Sequence, residues 1–409
     1  MTSAFPDIHI PDSPYAWRRM LLSLAIATVA GVGGWAVVVV MPAVQAEFGI
    51  DRASASLPYT MMMAGFAFGT IVLGRMADRT GIVIPILIAA ACLGAGFILA
   101  GLSPNLFAFS AAHGLLIGVG AGTGFAPLMA DISHWFVKRR GFAVVSVAAG
   151  NYLAGTIWPL VIKTAMPGFG WRGVYIGIGV FVLCTMLPLA LLLRPKPSAR
   201  TMAEALAATD AARADLGMSP ATLQILLTVA GFGCCMAMAM PQVHIVSYCA
   251  DLGYGVARGA EMLSLMLGLG IISRLASGVV SDRIGGTATL LIGSAMQGLA
   301  LALYLFFDGL SSLYIISGIF GLFQGGIVPM YAVICREFLP PKEAGARIGV
   351  VVSATIAGMA VGGYASGVIY DLTLSYRMAF LNGLLWNGVN LAVVGWLFWK
   401  RQEALARPA

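Results

Sequence analysis

Apolar residues run along this chain in long, almost unbroken stretches, and the charged residues gather between them. Each stretch has about 20 residues or more, which is enough for a helix to cross about 30 Å of hydrocarbon. The pattern therefore predicts an all-α integral membrane protein with twelve transmembrane helices. The predicted spans are Met20–Val44, Leu57–Met76, Ile82–Leu102, Phe107–Ile132, Phe142–Ala165, Val174–Leu193, Ala221–Ala250, Met262–Val280, Thr289–Phe307, Leu313–Cys335, Ile348–Tyr370 and Met378–Trp399.

The composition supports a membrane protein. Only 10% of the 409 residues are charged and 59% are hydrophobic, whereas a soluble domain has about 25% charged residues. This balance excludes a soluble enzyme or a nucleic-acid binder. The six cysteines lie almost entirely in apolar stretches without a CxxC pair, so they predict neither a disulfide framework nor a metal site.

One long polar connection divides the spans into two groups of six. We predict a cytoplasmic tail over residues 1–17, a six-helix bundle over 18–193, a cytoplasmic linker over 194–219, a second six-helix bundle over 220–400 and a second cytoplasmic tail over 401–409. The first tail lacks the basic segment and cleavage site of a signal peptide.

The positive charges predict the orientation of the chain in the membrane. Lys and Arg number 24 against 17 Asp and Glu, giving a net charge of +7. With both termini cytoplasmic, the inner side collects about 18 of the basic residues, Arg18 and Arg19 among them, and the outer side about 5. We therefore attribute the excess charge to topology in a plasma (inner) membrane. One basic residue, Arg274, belongs to neither side.

The two groups of spans carry a repeated motif. GRMADRTG, at Gly74–Gly81, follows the second span, and GVVSDRIG, at Gly278–Gly285, follows the eighth, at a constant offset of 204 residues. Because each half has six spans, both halves run in the same direction, as in transporters built from parallel repeats. We interpret the motif as a latch on the cytoplasmic gate; the alternative is a topology signal alone. The latch residues are Gly74, Asp78, Arg79, Gly278, Asp282 and Arg283.

The duplicated motif resembles the loop motif of the major facilitator superfamily. Finer matches resemble its monocarboxylate transporter and oxalate/formate antiporter branch: MPAVQAEFGIDRAS (Met41–Ser54), GVGAGTGFAP (Gly118–Pro127), WFVKRRGFAV (Trp135–Val144), PQVHIVSYCADLGY (Pro241–Tyr254) and SRLASGVVSDRIG (Ser273–Gly285). The resemblance implies that the arginine of the eighth span binds a substrate carboxylate. This sequence departs from the family pattern at Gly270, where the eukaryotic members carry an acidic residue. The proton relay of those members therefore cannot be assigned to this chain.

Arg274 is the strongest candidate for substrate binding. It lies about 12 Å from the cytoplasmic end of its span, where a guanidinium costs about 3 kcal/mol or more to insert. We find no acidic residue at that depth, because Asp131, Glu261 and Asp371 lie toward the ends of their spans. An anionic substrate is then a better partner than a carboxylate of the protein, and a single cation favours a monocarboxylate.

Other polar and aromatic residues fall within the spans. His244 could take up a proton during turnover, and with Tyr331 it could orient the substrate. Asn151 and Tyr152 could bind a hydroxyl or keto oxygen, and Phe125 could close the pocket. For each of them, helix packing is the alternative interpretation.

We therefore predict a secondary active transporter of a small organic monocarboxylate, working by alternating access, coupled to protons and functional as a monomer in the lipid bilayer. We expect no cofactor, no nucleic-acid partner and no enzymatic activity, because the chain has no ATP motif, no HExxH and no convincing Ser/His/Asp set. Two alternatives stay open. The chain could export drugs or amphipathic metabolites by proton antiport, or it could be a transport-dead sensor or a membrane enzyme.

Overall fold

The computed structural model describes residues 12–133, 135–136, 140–194, 218–338 and 341–406, and they fold into helices joined by short connections. The helices of the first half are α1 (Pro14–Ala30), α2 (Val32–Phe48), α3 (Arg52–Thr80), α4 (Val83–Gly101), α5 (Leu106–Ala112), a π-helical segment (His113–Gly118), α6 (Val119–Gly122), α7 (Ala126–Ser133), α8 (Arg140–Ala148) and α9 (Gly150–Leu191). Those of the second half are α10 (Pro220–Asp251), α11 (Val256–Ile284), α12 (Gly286–Phe306), α13 (Leu310–Gln324), α14 (Ile327–Phe338), α15 (Pro341–Thr373) and α16 (Tyr376–Ala406).

Within these residues, eleven helical stretches are long and apolar enough to cross a membrane. One of them, Phe142–Leu191, has 50 residues and would measure about 75 Å as one straight helix, more than twice the thickness of the hydrocarbon. Its path is broken at Gly170, where φ is 63° and ψ is 170°. The stretch therefore supplies two crossings, the predicted spans five and six. The expected twelve-helix architecture is confirmed.

We name the two membrane faces by the chain ends. The terminus side is the face where α1 begins and α16 ends, and the far side is the opposite face. Helices α3 and α11 occupy equivalent places in the two halves, each with 29 residues, and both run from the far side to the terminus side. Gly81 and Gly285 end them with φ of 87° and 84°. Only glycine adopts this backbone readily, which explains the last residue of the repeated motif.

The glycine-rich run of the fourth span packs closely against α3. A Cβ atom at Gly65 would overlap the carbonyl oxygen of Gly114, and one at Gly122 would lie 2.7 Å from the carbonyl oxygen of Phe66. Small residues let membrane helices approach at backbone distance. The run therefore serves helix packing, and it brings Phe66 of α3 beside Phe125.

The halves meet along two seams. Helix α3 packs against α15, and the first part of α9 packs against α11. The central cavity described below lies between these seams and takes side chains from both halves.

Candidate functional site

Arg274 lies on α11 and is buried, with 4% of its surface exposed. Its Nε donates a hydrogen bond to the carbonyl oxygen of Gly325 at 3.0 Å, and its Nη1 donates to that of Ala148, in the other half, at 2.9 Å. The Tyr152 ring covers one face of the guanidinium, with its centroid 4.2 Å from Cζ. These contacts use two of the five N–H donors of the side chain and leave the others for a ligand.

Among the described residues, no carboxylate lies opposite the charge of Arg274. In the described part of the chain, every acidic side chain that forms an ion pair does so with another base. Carbonyl dipoles and a π face stabilise a guanidinium but do not neutralise it. A buried cation in this condition attracts an anion of the opposite charge.

Arg274 borders a cavity of about 130 Å³ between the two halves. No Asp, Glu, Lys or His is among its described lining residues, so Arg274 is the single charge there. The walls are mostly aromatic, aliphatic and sulfur-containing side chains, with a few neutral polar groups. The lining includes Trp35, Tyr59, Met63, Phe66, Phe125, Asn151, Tyr152, Met238, Gln242, Arg274, Thr355 and Met359.

Three of the other residues selected from the sequence border the same cavity. Asn151 and Tyr152 begin the second part of the broken fifth span, one turn after the carbonyl of Ala148 that binds Arg274. Phe125 lies opposite Phe66, with ring centroids 6.3 Å apart. The structure thus brings Phe125, Asn151 and Tyr152 together with Arg274.

His244 and Tyr331 are placed elsewhere. His244 is fully buried, and its Nε2 donates to the carbonyl oxygen of Gly363 at 2.8 Å. The Tyr331 hydroxyl donates to Oδ1 of Asn390 at 2.7 Å. Neither side chain borders the cavity, so in this conformation neither could orient a ligand held by Arg274.

Helical geometry explains the position of His244. Successive residues of an α-helix are rotated by about 100°, so residues two apart point to nearly opposite faces. Gln242 borders the cavity and hydrogen-bonds to Gln324, and His244 therefore faces away, toward α15. The sequence interpretation selected the titratable residue of PQVH and missed the one that faces inward.

Gly270 departs from the acidic residue of the eukaryotic monocarboxylate transporters, and the structure gives a physical reason. A Cβ atom at this position would collide with the Tyr152 ring. The absence of a side chain at Gly270 is what lets Tyr152 lie against the guanidinium, one turn further along α11. A carboxylate at position 270 and this placement of Tyr152 exclude each other.

On the far side, the two halves are joined around the start of α3. Asp371 of α15 accepts hydrogen bonds from the backbone N–H groups of Arg52 and Ala53 at 2.9 and 2.6 Å. The Arg52 guanidinium binds both carboxylate oxygens of Asp251, at 3.0 and 2.9 Å. Asp51 completes the cap of α3 through the N–H and hydroxyl of Ser54, which lower the pKa of the Asp51 carboxyl below its ordinary value.

A second far-side contact links the other seam. The Lys163 ammonium lies 2.5 Å from Oε1 of Glu261. The other oxygen of this carboxylate, Oε2, accepts a hydrogen bond from the Tyr314 hydroxyl. All ion pairs between the halves whose two side chains are described lie on this face. Ion pairs therefore join the two halves at the far side.

The repeated motif lies at the terminus side. Arg79 and Arg283 are exposed near the ends of α3 and α11, while the side chains of Asp78 and Asp282 lie outside the described part. Among the described atoms, none would lie closer than 3.9 Å to a Cβ atom at Gly74 or Gly278. The carbonyl of Ile284 accepts a hydrogen bond from Arg401 at 2.9 Å, a cation at a helix C-terminus. The latch function of the six motif residues stays a prediction.

Arg19, counted above among the topology-setting charges, has a different environment. Its guanidinium is 1% exposed and binds both oxygens of Asp131 at 2.8 Å. It also donates to the Tyr15 hydroxyl and to the carbonyl of Leu193, both at 3.1 Å, and lies over the Trp135 ring. This arginine ties together three spans of the first half, so its role in the fold goes beyond setting orientation.

Twelve apolar helices in two equivalent halves, with a charged cavity between them, define a membrane protein of the transporter class. A sequence model of the Major Facilitator Superfamily matches residues 23–317 and 262–409, and the chain belongs to that superfamily.

Individual relatives are distant but extend over most of the chain. Monocarboxylate transporter 13 of Rattus norvegicus is 24% identical, covering 80% of this chain and 75% of its own. The 4-hydroxybenzoate transporter PcaK of Pseudomonas putida is 26% identical, covering 98% and 91%. The crystal structure of a bacterial homolog of the human lysosomal transporter Spinster, inward-facing and occupied, superposes with a TM-score of 0.69 at 15% identity, covering 96% and 97%. That likeness shows the same fold.

Proposed function

We propose that this chain is a secondary active transporter of small organic monocarboxylates that works by alternating access in the inner membrane, with both termini cytoplasmic. The observation that carries the proposal is Arg274, a buried cation in the central cavity with unused donors and no carboxylate beside it among the described residues. A carboxylate is the anion that a guanidinium binds with two parallel hydrogen bonds. The absence of a second cation among the described lining residues favours one carboxylate over two.

Two parts of the chain supply the remaining needs of the cycle. The far-side contacts of Arg52 with Asp251 and Asp371 join the halves when the cavity is shut off from that face. Opening requires that they separate, and the latch residues Gly74, Asp78, Arg79, Gly278, Asp282 and Arg283 would then join the halves at the terminus side. The halves thus exchange one set of contacts for another around a fixed site.

The test is counterflow in proteoliposomes, which measures exchange of a labelled monocarboxylate without a driving gradient. We expect Arg274→Ala to lower the exchange rate at least about 100-fold, since a hydrogen bond to a charged group is worth about 1.5–3 kcal/mol and more than one is lost. Arg274→Lys keeps the charge without the forked geometry, so its exchange rate should fall between those of the parent and Arg274→Ala. Exchange at the parental rate by Arg274→Ala would contradict the proposal.

We further propose that transport is coupled to protons. An imposed pH gradient should then drive net uptake or efflux of the same labelled carboxylate, and a protonophore should abolish it while counterflow continues. Equal net flux with and without the pH gradient would contradict proton coupling and indicate that the protein exchanges carboxylates.

A second candidate is proton-coupled export of amphipathic compounds. Met63, Met238 and Met359 favour it, since thioether side chains adapt to varied ligands, and one relative is the agnestins efflux protein AgnL12 of Paecilomyces divaricatus. Competition against a bound substrate separates the two candidate functions. If the chain transports monocarboxylates, other carboxylates should displace the substrate and cationic dyes should not. Binding without counterflow would instead indicate a sensor.

A further inference from the structure

The walls of the cavity carry information about the ligand beyond its charge. Trp35, Phe66 and Phe125 present aromatic rings, and Met63, Met238 and Met359 present thioethers. Aromatic side chains favour edge-to-face and offset contacts with another ring, and methionine sulfur makes favourable contacts with ring edges. A three-carbon carboxylate held at Arg274 would leave most of these groups facing water.

The volume limits how large the apolar part of the ligand can be. The cavity measures about 130 Å³, and an apolar cavity of about 150 Å³ is known to hold one benzene molecule. The cavity is therefore close in size to one that holds a single six-membered ring.

The lining has one charged group and few neutral polar groups. Arg274 provides the single charge, and Asn151, Gln242 and Thr355 are neutral. Tyr152 covers one face of the guanidinium, so a ligand carboxylate approaches its remaining N–H donors from the cavity. The arrangement matches a molecule with one anionic end and one flat apolar end.

We propose that the substrate is a monocarboxylate bearing a single aromatic ring, of the benzoate or phenylacetate type. This inference rests on the proposed function and narrows it to a substrate class. The carboxylate binds Arg274, and the ring packs against Phe66, Phe125 and the methionines.

The first experiment measures dissociation constants of the purified protein by calorimetry for benzoate, phenylacetate, cyclohexanecarboxylate, propionate and lactate. A single methylene in an apolar pocket is worth about 10-fold or more, so benzoate and phenylacetate should bind at least about 10-fold more tightly than propionate or lactate. Cyclohexanecarboxylate should fall between them, because it fills the space without an aromatic edge or face. Equal affinity for propionate and benzoate would overturn the inference.

A pair of variants on one helix tests the placement of the ring. Phe66 borders the cavity, whereas Phe68, two residues further along α3, is 61% exposed on the opposite face. Phe66→Leu should weaken benzoate binding about 5-fold and propionate binding by a smaller factor. Phe68→Leu, the same substitution facing lipid, should change neither. Equal losses for both ligands in Phe66→Leu would contradict the placement.

Benzamide and Arg274→Gln separate a failure of this inference from a failure of the proposed function. Benzamide keeps the ring and lacks the charge, so it should bind at least about 10-fold more weakly than benzoate. If benzamide and benzoate bind alike in the parent and in Arg274→Gln, carboxylate recognition is wrong. If every carboxylate needs Arg274 for binding but the protein does not bind aromatic carboxylates more tightly, the proposed carboxylate transport is retained and the aromatic substrate class is wrong.

Discussion

Two buried arginines with opposite surroundings show how this chain separates fold from function. Arg19 is 1% exposed and Arg274 is 4% exposed. Arg19 has a carboxylate, a hydroxyl, a carbonyl and a tryptophan ring around it. Arg274 has two carbonyls and one tyrosine ring, with the cavity beside it. The charge of Arg19 is neutralised by Asp131, whereas Arg274 has no carboxylate partner among the described residues.

The comparison first predicts that Arg19 is needed for stability. Removing one partner of a buried ion pair leaves an unpaired charge and costs about 3–5 kcal/mol, while replacing both partners by apolar residues is often neutral. Arg19→Met and Asp131→Leu should each lower the free energy of unfolding by about that amount, measured by denaturation in detergent. The double variant should recover most of the loss. Equal destabilisation in the double variant would show that the contacts to Tyr15 and Leu193 matter more than the charges.

The second prediction concerns a variant in which Arg274 gains a carboxylate neighbour, as Arg19 has in Asp131. Asn151 borders the same cavity, so Asn151→Asp would give the guanidinium an internal carboxylate that competes with the substrate. We expect substrate affinity to fall by about 2 kcal/mol, roughly 30-fold, at pH 7. Asn151→Ala is the matched control, and it removes one neutral hydrogen bond at a cost of about 1 kcal/mol or less. If both variants bind substrate alike, the charge of Arg274 does not set the affinity.

The contrast between the two arginines could be predicted only in part from the sequence. The depth of Arg274 follows from counting residues back from Asp282, and the lack of a carboxylate at that depth follows from the spacing of the acidic residues. Arg19 and Asp131 are 112 positions apart, and nothing in the spacing shows that the start of the first span meets the end of the fourth. Arg19 was therefore counted among the residues that set topology.

Helical phase limits the prediction of the remaining site. Twelve spans follow from length and hydropathy alone, and the repeat places equivalent helices in the two halves. In a span that is apolar on all sides, however, no hydrophobic face marks which residues point inward. Gln242, Trp35 and Tyr59 were missed for this reason, while His244 and Tyr331 were selected by residue type and lie outside the lining.

Arg52 is the intermediate case, a paired arginine at a seam that opens in the proposed transport cycle. Its partner Asp251 is 31% exposed, so the pair is worth about 1 kcal/mol or less. Asp251→Asn should leave the fold intact and increase the population open at the far side, by up to about fivefold. A cysteine at Ser56, which is buried beside Gly367 of the other half, would then react faster with a membrane-impermeant maleimide.

The control for that experiment is Asp308→Asn, which removes an exposed far-side carboxylate away from the seam. It should leave the labelling rate of the Ser56→Cys background unchanged, with the native cysteines replaced in both proteins. Faster labelling in both variants would point to a general effect of surface charge. No change in either would mean that the Asp371 contacts alone hold α3 against α15.

The smallest effect concerns the ring that covers Arg274. If the Tyr152 ring stabilises the guanidinium through its π face, Tyr152→Phe keeps the interaction and should change substrate affinity by less than about twofold. Tyr152→Leu removes it and should weaken binding by about 0.5–1 kcal/mol, roughly two- to fivefold. A larger loss in Tyr152→Phe than in Tyr152→Leu would assign the role to the hydroxyl. Arg274 would then depend on a hydrogen-bonding neighbour, as Arg19 depends on Asp131, and the contrast between the two arginines would narrow.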